Sequence, residues 1–207
     1  MKNILVFGDS GSYGAWDIEG GWVQRLRQSL DKVNIKNLPN FTLVYNLSIS
    51  GNTTKYVLDR FNAEIKAYIY NNNDHVIIFS IGVNDSRKIK GHYAVNPELF
   101  KNNIIELINR AKKHTPTIVF VSPKPIYPNI VQWTDTETYD IKDVQKYRDV
   151  IKSVCEENEV QYIELFDVLM KNNYKELLQD ELHYNTEGHK KIYEVVREYL
   201  SRNNIVH

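Results

Sequence analysis

Five short runs of apolar residues, separated by longer amphipathic segments, constrain the fold of this chain more than any other feature. The runs lie at residues 4–7, 42–47, 76–81, 118–121 and 162–165. They lack the alternation of apolar and polar residues that is typical of a strand with one exposed face. The pattern therefore predicts five strands that are buried on both faces, as in a parallel sheet.

The segments between these runs carry the spacing of amphipathic helices. They lie at residues 22–33, 55–70, 97–113 and 141–158, and a fifth lies at 186–200. Strands that alternate with helices predict an α/β fold, a three-layer αβα sandwich with a five-stranded parallel sheet in the flavodoxin-like arrangement. Residues 1–207 contain no repeat, low-complexity tract or linker, so we expect a single domain.

Polar residues cluster directly after the predicted strands. Residues 8–10 (Gly-Asp-Ser) follow the first strand, 48–52 the second and 82–85 (Gly-Val-Asn-Asp) the third. Asp180 and His183 fall in the loop before the last helix. Because open parallel sheets bind ligands outside the carboxyl ends of their strands, we expect these loops to converge on one rim.

Ser10 and the Asp180-x-x-His183 pair are the ingredients of a serine hydrolase. An alcohol is a poor nucleophile at neutral pH, so it needs an imidazole to take its proton and a carboxylate to hold that imidazole. Taken singly, each motif has a simpler explanation: Ser10 as a helix N-cap, Asn84 in a turn, and Asp180 with His183 as a loop pair. Their predicted position at one sheet edge favours the catalytic interpretation.

Other motifs that could explain the first polar cluster fail on spacing. The nucleophile elbow of α/β-hydrolases needs glycine at position 12, where the chain has Ser12. A dinucleotide-binding loop needs glycines at the positions of Ser10 and Tyr13, and no lysine follows to make a phosphate-binding P-loop. Trypsin-like proteases place histidine and aspartate before the serine, and only nine residues precede Ser10.

The serine block, the glycine after the second strand, the Gly-Val-Asn-Asp block and the Asp-x-x-His pair resemble, in this order, the motifs of the SGNH (GDSL-type) serine hydrolases. The resemblance implies an esterase with Ser10 as nucleophile, His183 as base and Asp180 as the residue that orients His183. It also implies an oxyanion hole formed by the backbone N–H of Ser10, the backbone N–H of Gly51 and the side-chain amide of Asn84.

The chain departs from the family motif at Gly11, where the motif has leucine. We expect substrate choice to lie in the insertions 86–96 and 123–140, the second of which should follow an irregular path because of its prolines. The expected substrate is a short-chain acyl ester, such as an O-acetyl group on a carbohydrate or small metabolite. Alternatives are a thioesterase or lysophospholipase, an acyltransferase, and a non-catalytic carbohydrate-binding domain.

Composition excludes several other classes. Lysine plus arginine and aspartate plus glutamate each number 26, so no excess charge points to nucleic acid. The single Cys155 allows no internal disulfide, and the histidines lack metal-ligand spacing, so neither metal nor cofactor is expected. No apolar stretch approaches the ~18 residues of a membrane span, and we expect a cytoplasmic protein. The oligomeric state stays open.

His189 should face the helix exterior or support its loop, and the other histidines outside the triad should be solvated, namely His75, His92, His114 and His207.

Overall fold

The computed structural model describes residues 1–38, 40–69, 74–128, 131–134 and 136–206, and of 131–133 only the backbone. Its elements, in chain order, are β1 (Lys2–Gly8), α1 (Ser10–Tyr13), α2 (Gly21–Asn34), β2 (Thr42–Asn46), α3 (Thr54–Tyr68), β3 (Asp74–Ser80), β4 (Lys88–Ile89), β5 (His92–Tyr93), α4 (Pro97–Lys112), β6 (Ile118–Val121), β7 (Val131–Thr134), β8 (Glu137–Tyr139), α5 (Ile141–Glu157), β9 (Gln161–Ile163), α6 (Phe166–Met170), a 3₁₀ turn (Tyr174–Leu177) and α7 (Thr186–Arg202).

The five strands predicted from the apolar runs form one parallel sheet. Its order is β2-β1-β3-β6-β9, with Ile4 opposite Val44 on one side and Val76 on the other. This is the strand order of flavodoxin-like doubly wound sheets, so the predicted fold class is confirmed. The short helix α6 and the 3₁₀ turn were not predicted.

Helices cover both faces of this sheet, which explains why its strands are apolar throughout. On β1, Ile4 and Val6 point into a core shared with α2 and α7. Leu5 and Phe7 point into a second core shared with α3, α4 and α5. Successive side chains of a strand face opposite ways, so a strand packed on both sides must be apolar at every position.

A second, antiparallel sheet, in the order β5-β4-β8-β7, lies in the two insertions. The irregular path predicted for 123–140 holds for 123–128 but is wrong for β7 and β8. The error has a physical reason: strands of two to four residues carry too few side chains to show a period. Residues 129, 130 and 135 lie outside the described residues.

The prediction that His75 is solvated is wrong, and so is the exterior alternative for His189. His189 lies on the face of α7 that packs against the protein and is fully buried, and His75 on β3 is only 8% exposed. His92 is exposed as predicted, His114 is half-buried and His207 lies outside the described residues. Within the described ranges, none of the helices has both the length and the apolar character needed to cross a bilayer.

Candidate active site

The predicted motif residues converge at the carboxyl edge of the large sheet. Ser10, Gly51, Asn84, Asp180 and His183 all line one open cavity of about 1480 Å³. The parallel sheet brings them together because β1, β2 and β3 all end at this edge. The cavity is larger than the ~300–1,000 Å³ typical of small-molecule pockets, so it has room for more than a short acyl group.

Ser10 is held by the tight turn that ends β1. The buried carboxylate of Asp9 accepts a hydrogen bond of 2.9 Å from the backbone N–H of Gly11 and so caps α1. The simpler explanation of the motif, with Ser10 as a helix N-cap, therefore does not hold. Asp9 is the N-cap, and Ser10 is the first residue of the helix. A serine in that position presents its hydroxyl to the cavity while its backbone is fixed by the cap.

Lys124 explains why the chain has glycine at position 11. A Cβ on Gly11 would lie 2.6 Å from Nζ and 2.8 Å from Cε of Lys124. Lys124 is only 6% exposed, and its ammonium interacts electrostatically with the carboxylate of Asp9. Burial lowers the pKa of Lys124 and raises that of Asp9, while each charge partly offsets the shift of the other. The volume that leucine would occupy is filled here by a lysine side chain from the loop after β6.

Ser10, His183 and Asp180 form a continuous hydrogen-bonded chain. Oγ of Ser10 lies 3.0 Å from Nε2 of His183, and Nδ1 of His183 lies 2.9 Å from Oδ2 of Asp180. His183 is 7% exposed. With its proton on Nδ1, the imidazole donates to Asp180 and presents the lone pair of Nε2 to the serine hydroxyl.

The Asp180 carboxylate is held as an anion by N–H donors. Oδ1 accepts from the backbone N–H groups of Leu182 (2.7 Å) and His183 (2.6 Å). Burial alone would raise the pKa of Asp180, but the hydrogen bonds from the backbone and imidazole of His183 and from Leu182 outweigh it, and the pKa lies below its usual value. An ionised Asp180 is what the Nδ1 proton of His183 requires.

Trp16 supplies a further donor that the sequence motifs did not indicate. Its indole Nε1 lies 2.8 Å from Oδ2 of Asp180 and 2.9 Å from Nδ1 of His183. When Nδ1 carries the proton it cannot accept a second one, so the indole N–H donates to Asp180. The indole ring meets the His183 ring edge-on, at a centroid distance of 5.5 Å. The sequence signal that could have revealed it is an aromatic residue six positions after Ser10 in a glycine-rich turn.

Asp17 anchors the loop that carries Trp16. Its buried carboxylate accepts from Arg25 on α2, from the backbone N–H of Gly21 (2.9 Å) and from the hydroxyl of Thr186 at the start of α7 (3.0 Å). Burial works to raise the pKa of Asp17, but these donors and the backbone N–H of Glu19 bring it down to about 2. The Trp16 loop is therefore tied to both helices on this side of the sheet.

Gly51 and Asn84 lie on the loops that follow β2 and β3, and a contact of the Asn84 amide joins these loops. Gly51 has φ +79°, in the left-handed region that favours glycine. The Asn84 amide donates to the backbone carbonyl of Asn52 (Nδ2–O 3.2 Å) and accepts from the hydroxyl of Tyr139 (3.0 Å). Tyr139 belongs to the small sheet and is 3% exposed. It is a second cavity residue whose contact the motifs did not indicate.

A buried carboxyl group fastens these two loops together. Oδ1 of Asp85 accepts from both the backbone N–H (2.9 Å) and the hydroxyl (2.5 Å) of Thr54, the first residue of α3. Asn103 donates to the same hydroxyl from α4. Burial raises the pKa of Asp85 to about 7, although the Thr54 bonds oppose the rise. Asp85 therefore joins the Asn84 loop to the segment that carries Gly51.

From the two insertions that were expected to set substrate choice, the structure places Arg87 and Tyr139 at the cavity. Arg87 pairs with Glu137 across the small sheet, with an N–O distance of 3.2 Å. Tyr93 instead hydrogen-bonds to Asp143 on α5, away from the cavity. Among the described residues, no group of three histidine, cysteine or carboxylate side chains is arranged to hold a metal ion.

Comparison with known proteins agrees with this architecture. Residues 6–191 match the family model of the GDSL-like lipase/acylhydrolase family. Solved structures with the same fold include a lipase/acylhydrolase from Enterococcus faecalis, at 18% identity and TM-score 0.77 over 98% of this chain and 97% of that one. The acetyl xylan esterase AlAXEase aligns at 20% identity and TM-score 0.74, covering 96% of this chain and 99% of that one.

Axe2, an acetylxylan esterase from Geobacillus stearothermophilus, aligns at 20% identity and TM-score 0.72, covering 96% of this chain and 92% of that one. Two further structures of Axe2 are described as catalytic mutants, one with an aspartate and one with a histidine replaced by alanine, at Asp-x-x-His spacing. None of the curated proteins is similar enough to this chain to count as a match.

The flavodoxin-like sheet, together with the match to the family model over residues 6–191, identifies this chain as an SGNH-type hydrolase. With the family model matched over nearly its whole length, the chain belongs to the GDSL-like lipase/acylhydrolase family.

Proposed function

We propose that this protein hydrolyses short-chain acyl esters with Ser10, His183 and Asp180 as its catalytic triad. The observation that carries the proposal is the hydrogen-bonded chain from the Ser10 hydroxyl through His183 to Asp180 at the mouth of an open cavity. The mutated aspartate and histidine of Axe2 have the same sequence spacing as this pair.

The geometry supports the following reaction. Nε2 of His183 takes the hydroxyl proton as Oγ of Ser10 attacks the ester carbonyl, and the imidazolium is stabilised by Asp180. The oxyanion accepts hydrogen bonds from the backbone N–H groups of Ser10 and Gly51 and from the side-chain amide of Asn84. His183 then protonates the leaving alcohol, and water enters by the reverse sequence to release the acid and free Ser10.

The size of the cavity and its exposed rim support a substrate with a large alcohol part, such as an O-acetylated carbohydrate. On the Trp16 side the rim carries exposed apolar side chains: Tyr13 is 59% exposed, Trp16 58% and Ile18 97%. Flat aromatic surfaces of this kind can pack against a sugar ring. The named acetyl xylan esterases with this fold act on substrates of the same class.

Intact-mass measurement after treatment with a fluorophosphonate tests the triad. The wild type should gain one adduct, and Ser10→Ala should gain none and should lose about 10⁴-fold in kcat on an acetyl ester. Ser153→Ala is the matched control, since its hydroxyl lies on the exposed face of α5 and bonds to Glu157. Labelling or hydrolysis that survives in Ser10→Ala would refute the assignment.

The length of the acyl group is tested with a series of esters from acetyl to palmitoyl. We expect kcat/KM to be highest at acetyl or propionyl. A maximum at long chains would instead indicate a thioesterase or lysophospholipase. Transfer of the acyl group to added alcohols, in preference to water, would indicate an acyltransferase.

A further inference from the structure

We propose that Tyr139 is a positioning residue that fixes the Asn84 amide as an oxyanion donor. This role rests on the proposed function, because it supposes that Asn84 stabilises the charge that develops on the ester carbonyl. The observation that carries it is the buried hydrogen bond of 3.0 Å between the Tyr139 hydroxyl and Oδ1 of Asn84.

The partners of Asn84 determine which end of its amide faces which way. The backbone carbonyl of Asn52 can only accept, so the atom that contacts it must be the amide nitrogen. The other end is then the amide oxygen, which can only accept, and the Tyr139 hydroxyl must donate to it. Asn52 directly follows Gly51, so the same contact ties the amide to the second oxyanion donor.

The two contacts leave one N–H of Asn84 for the cavity. An amide has two N–H donors, and the bond to Asn52 uses one of them. Asn84 is 5% exposed and lines the cavity. Without Tyr139, the buried oxygen of Asn84 would lack this donor, and rotation of the amide would turn the oxygen towards the oxyanion. Preorganised donors are effective only when they do not have to reorient during the reaction.

The Tyr139 hydroxyl is available as a donor at neutral pH. Burial is the main cause that raises its pKa to about 12, so the hydroxyl keeps its proton throughout the neutral range. Tyr139 is held in place by β8. On the same strand, Glu137 pairs with Arg87, which follows Asp85 by two residues. The small sheet therefore places a hydroxyl donor at the back of the Asn84 amide.

Tyr139→Phe removes this hydroxyl and keeps the ring. Because removal of a whole oxyanion donor costs about 10²–10³ in kcat, loss of its orientation should lower kcat about tenfold, with KM changed less than about twofold. Tyr147→Phe is the matched control. Tyr147 is also fully buried, its hydroxyl donates to the backbone carbonyl of Val95, and its side chain neither lines the cavity nor bonds to Asn84, so this variant should lose stability but not kcat.

The decisive measurement is the double variant. In the Asn84→Ala background, Tyr139→Phe should change kcat less than about twofold, because its route of action is gone. An equal fall in both backgrounds, or an unchanged kcat in Tyr139→Phe alone, would overturn the role of Tyr139. If Ser10→Ala abolishes turnover in the same assay, the proposed function stands whatever Tyr139→Phe does. An unchanged rate in Ser10→Ala would remove both proposals.

NMR of the wild type gives a test that does not depend on the folding of Tyr139→Phe. A Tyr139 hydroxyl proton bonded to Asn84 should exchange slowly with solvent. It should also show an NOE to the Asn84 NH₂ protons, which are identified by their loss in Asn84→Asp. A rapidly exchanging hydroxyl without this NOE would contradict the proposal.

Discussion

Replacement of Trp16 by phenylalanine isolates one hydrogen bond of the triad carboxylate. The indole N–H donates to Oδ2 of Asp180, the same oxygen that accepts from Nδ1 of His183. Phenylalanine keeps an aromatic ring beside His183, although a smaller one, and removes the donor. With one N–H fewer, the carboxylate is less stabilised as an anion, and its pKa should rise towards the usual value.

The magnitude follows from the exposure of the site. A hydrogen bond to a charged group is worth about 1.5–3 kcal/mol when water cannot replace it. Trp16 is 58% exposed, and a hydrogen bond of an exposed side chain contributes only part of this free energy because water can replace it. We therefore expect a loss of about 0.5–1.5 kcal/mol in transition-state stabilisation, which lowers kcat/KM about two- to tenfold. The backbone donors from Leu182 and His183 still hold Asp180 in place, so activity should fall and not vanish.

Steady-state kinetics on an acetyl ester across pH 5 to 8 measures this effect. The deficit of Trp16→Phe should be nearly constant over this range, because a carboxylate whose pKa rises only towards the usual value of about 3.9 stays ionised above pH 5. Trp22→Phe is the control. Trp22 belongs to α2, and its indole is fully buried in the core. Loss of this indole should reduce stability and leave kcat/KM unchanged. A Trp16→Phe enzyme with wild-type kcat/KM at every pH would refute the assigned hydrogen bond.

Two further substitutions test the surroundings of Ser10 by urea unfolding. Gly11→Leu should cost about 1–3 kcal/mol, because its side chain overlaps Lys124, and Lys124→Ala in the same chain should recover at least about 1 kcal/mol of that loss; strictly additive losses would contradict the packing described. Asp17→Asn should cost about 2 kcal/mol near pH 6, because the pKa of Asp17 falls to about 2 on folding. Since a lowered pKa stabilises only above the unfolded value, this difference should shrink as the pH falls from about 5 towards 2, and a constant difference would be the contrary result.

The large sheet and the approach of Ser10 to His183 followed from the sequence because both depend on regular patterns. Apolar runs give the strands, and parallel strands bring their following loops to one edge. The contacts of Trp16 and Tyr139 could not be predicted in this way. They join residues 164 and 55 positions apart in the chain through loop conformations that leave no period in the sequence. The assigned catalytic roles stay predictions until the variants are measured.

The burial of His189 is a different case. The residues around it have the pattern of an ordinary helix N-terminus, capped by Asn185, and histidine is commonly exposed. The residue is buried because the turn around Gly21 packs directly over its ring. Burial brings the pKa of His189 down to about 4, so the ring is neutral inside the protein. The helical period also places His189 on the same face as Ile192, Val196 and Leu200, so its burial could have been predicted from the sequence.

The Lys124 side chain occupies the space beside Gly11. This packing also restricts the order in which the two residues can arise during evolution. A lysine that appears at position 124 while leucine still occupies position 11 meets a filled space and a displaced charge. Glycine first opens a gap that a small or flexible residue can tolerate, and lysine can then enter it opposite Asp9. We expect intermediates along the first route to be less stable by about 1–3 kcal/mol, as for Gly11→Leu, so the two positions should be altered together when this turn is transplanted into a relative.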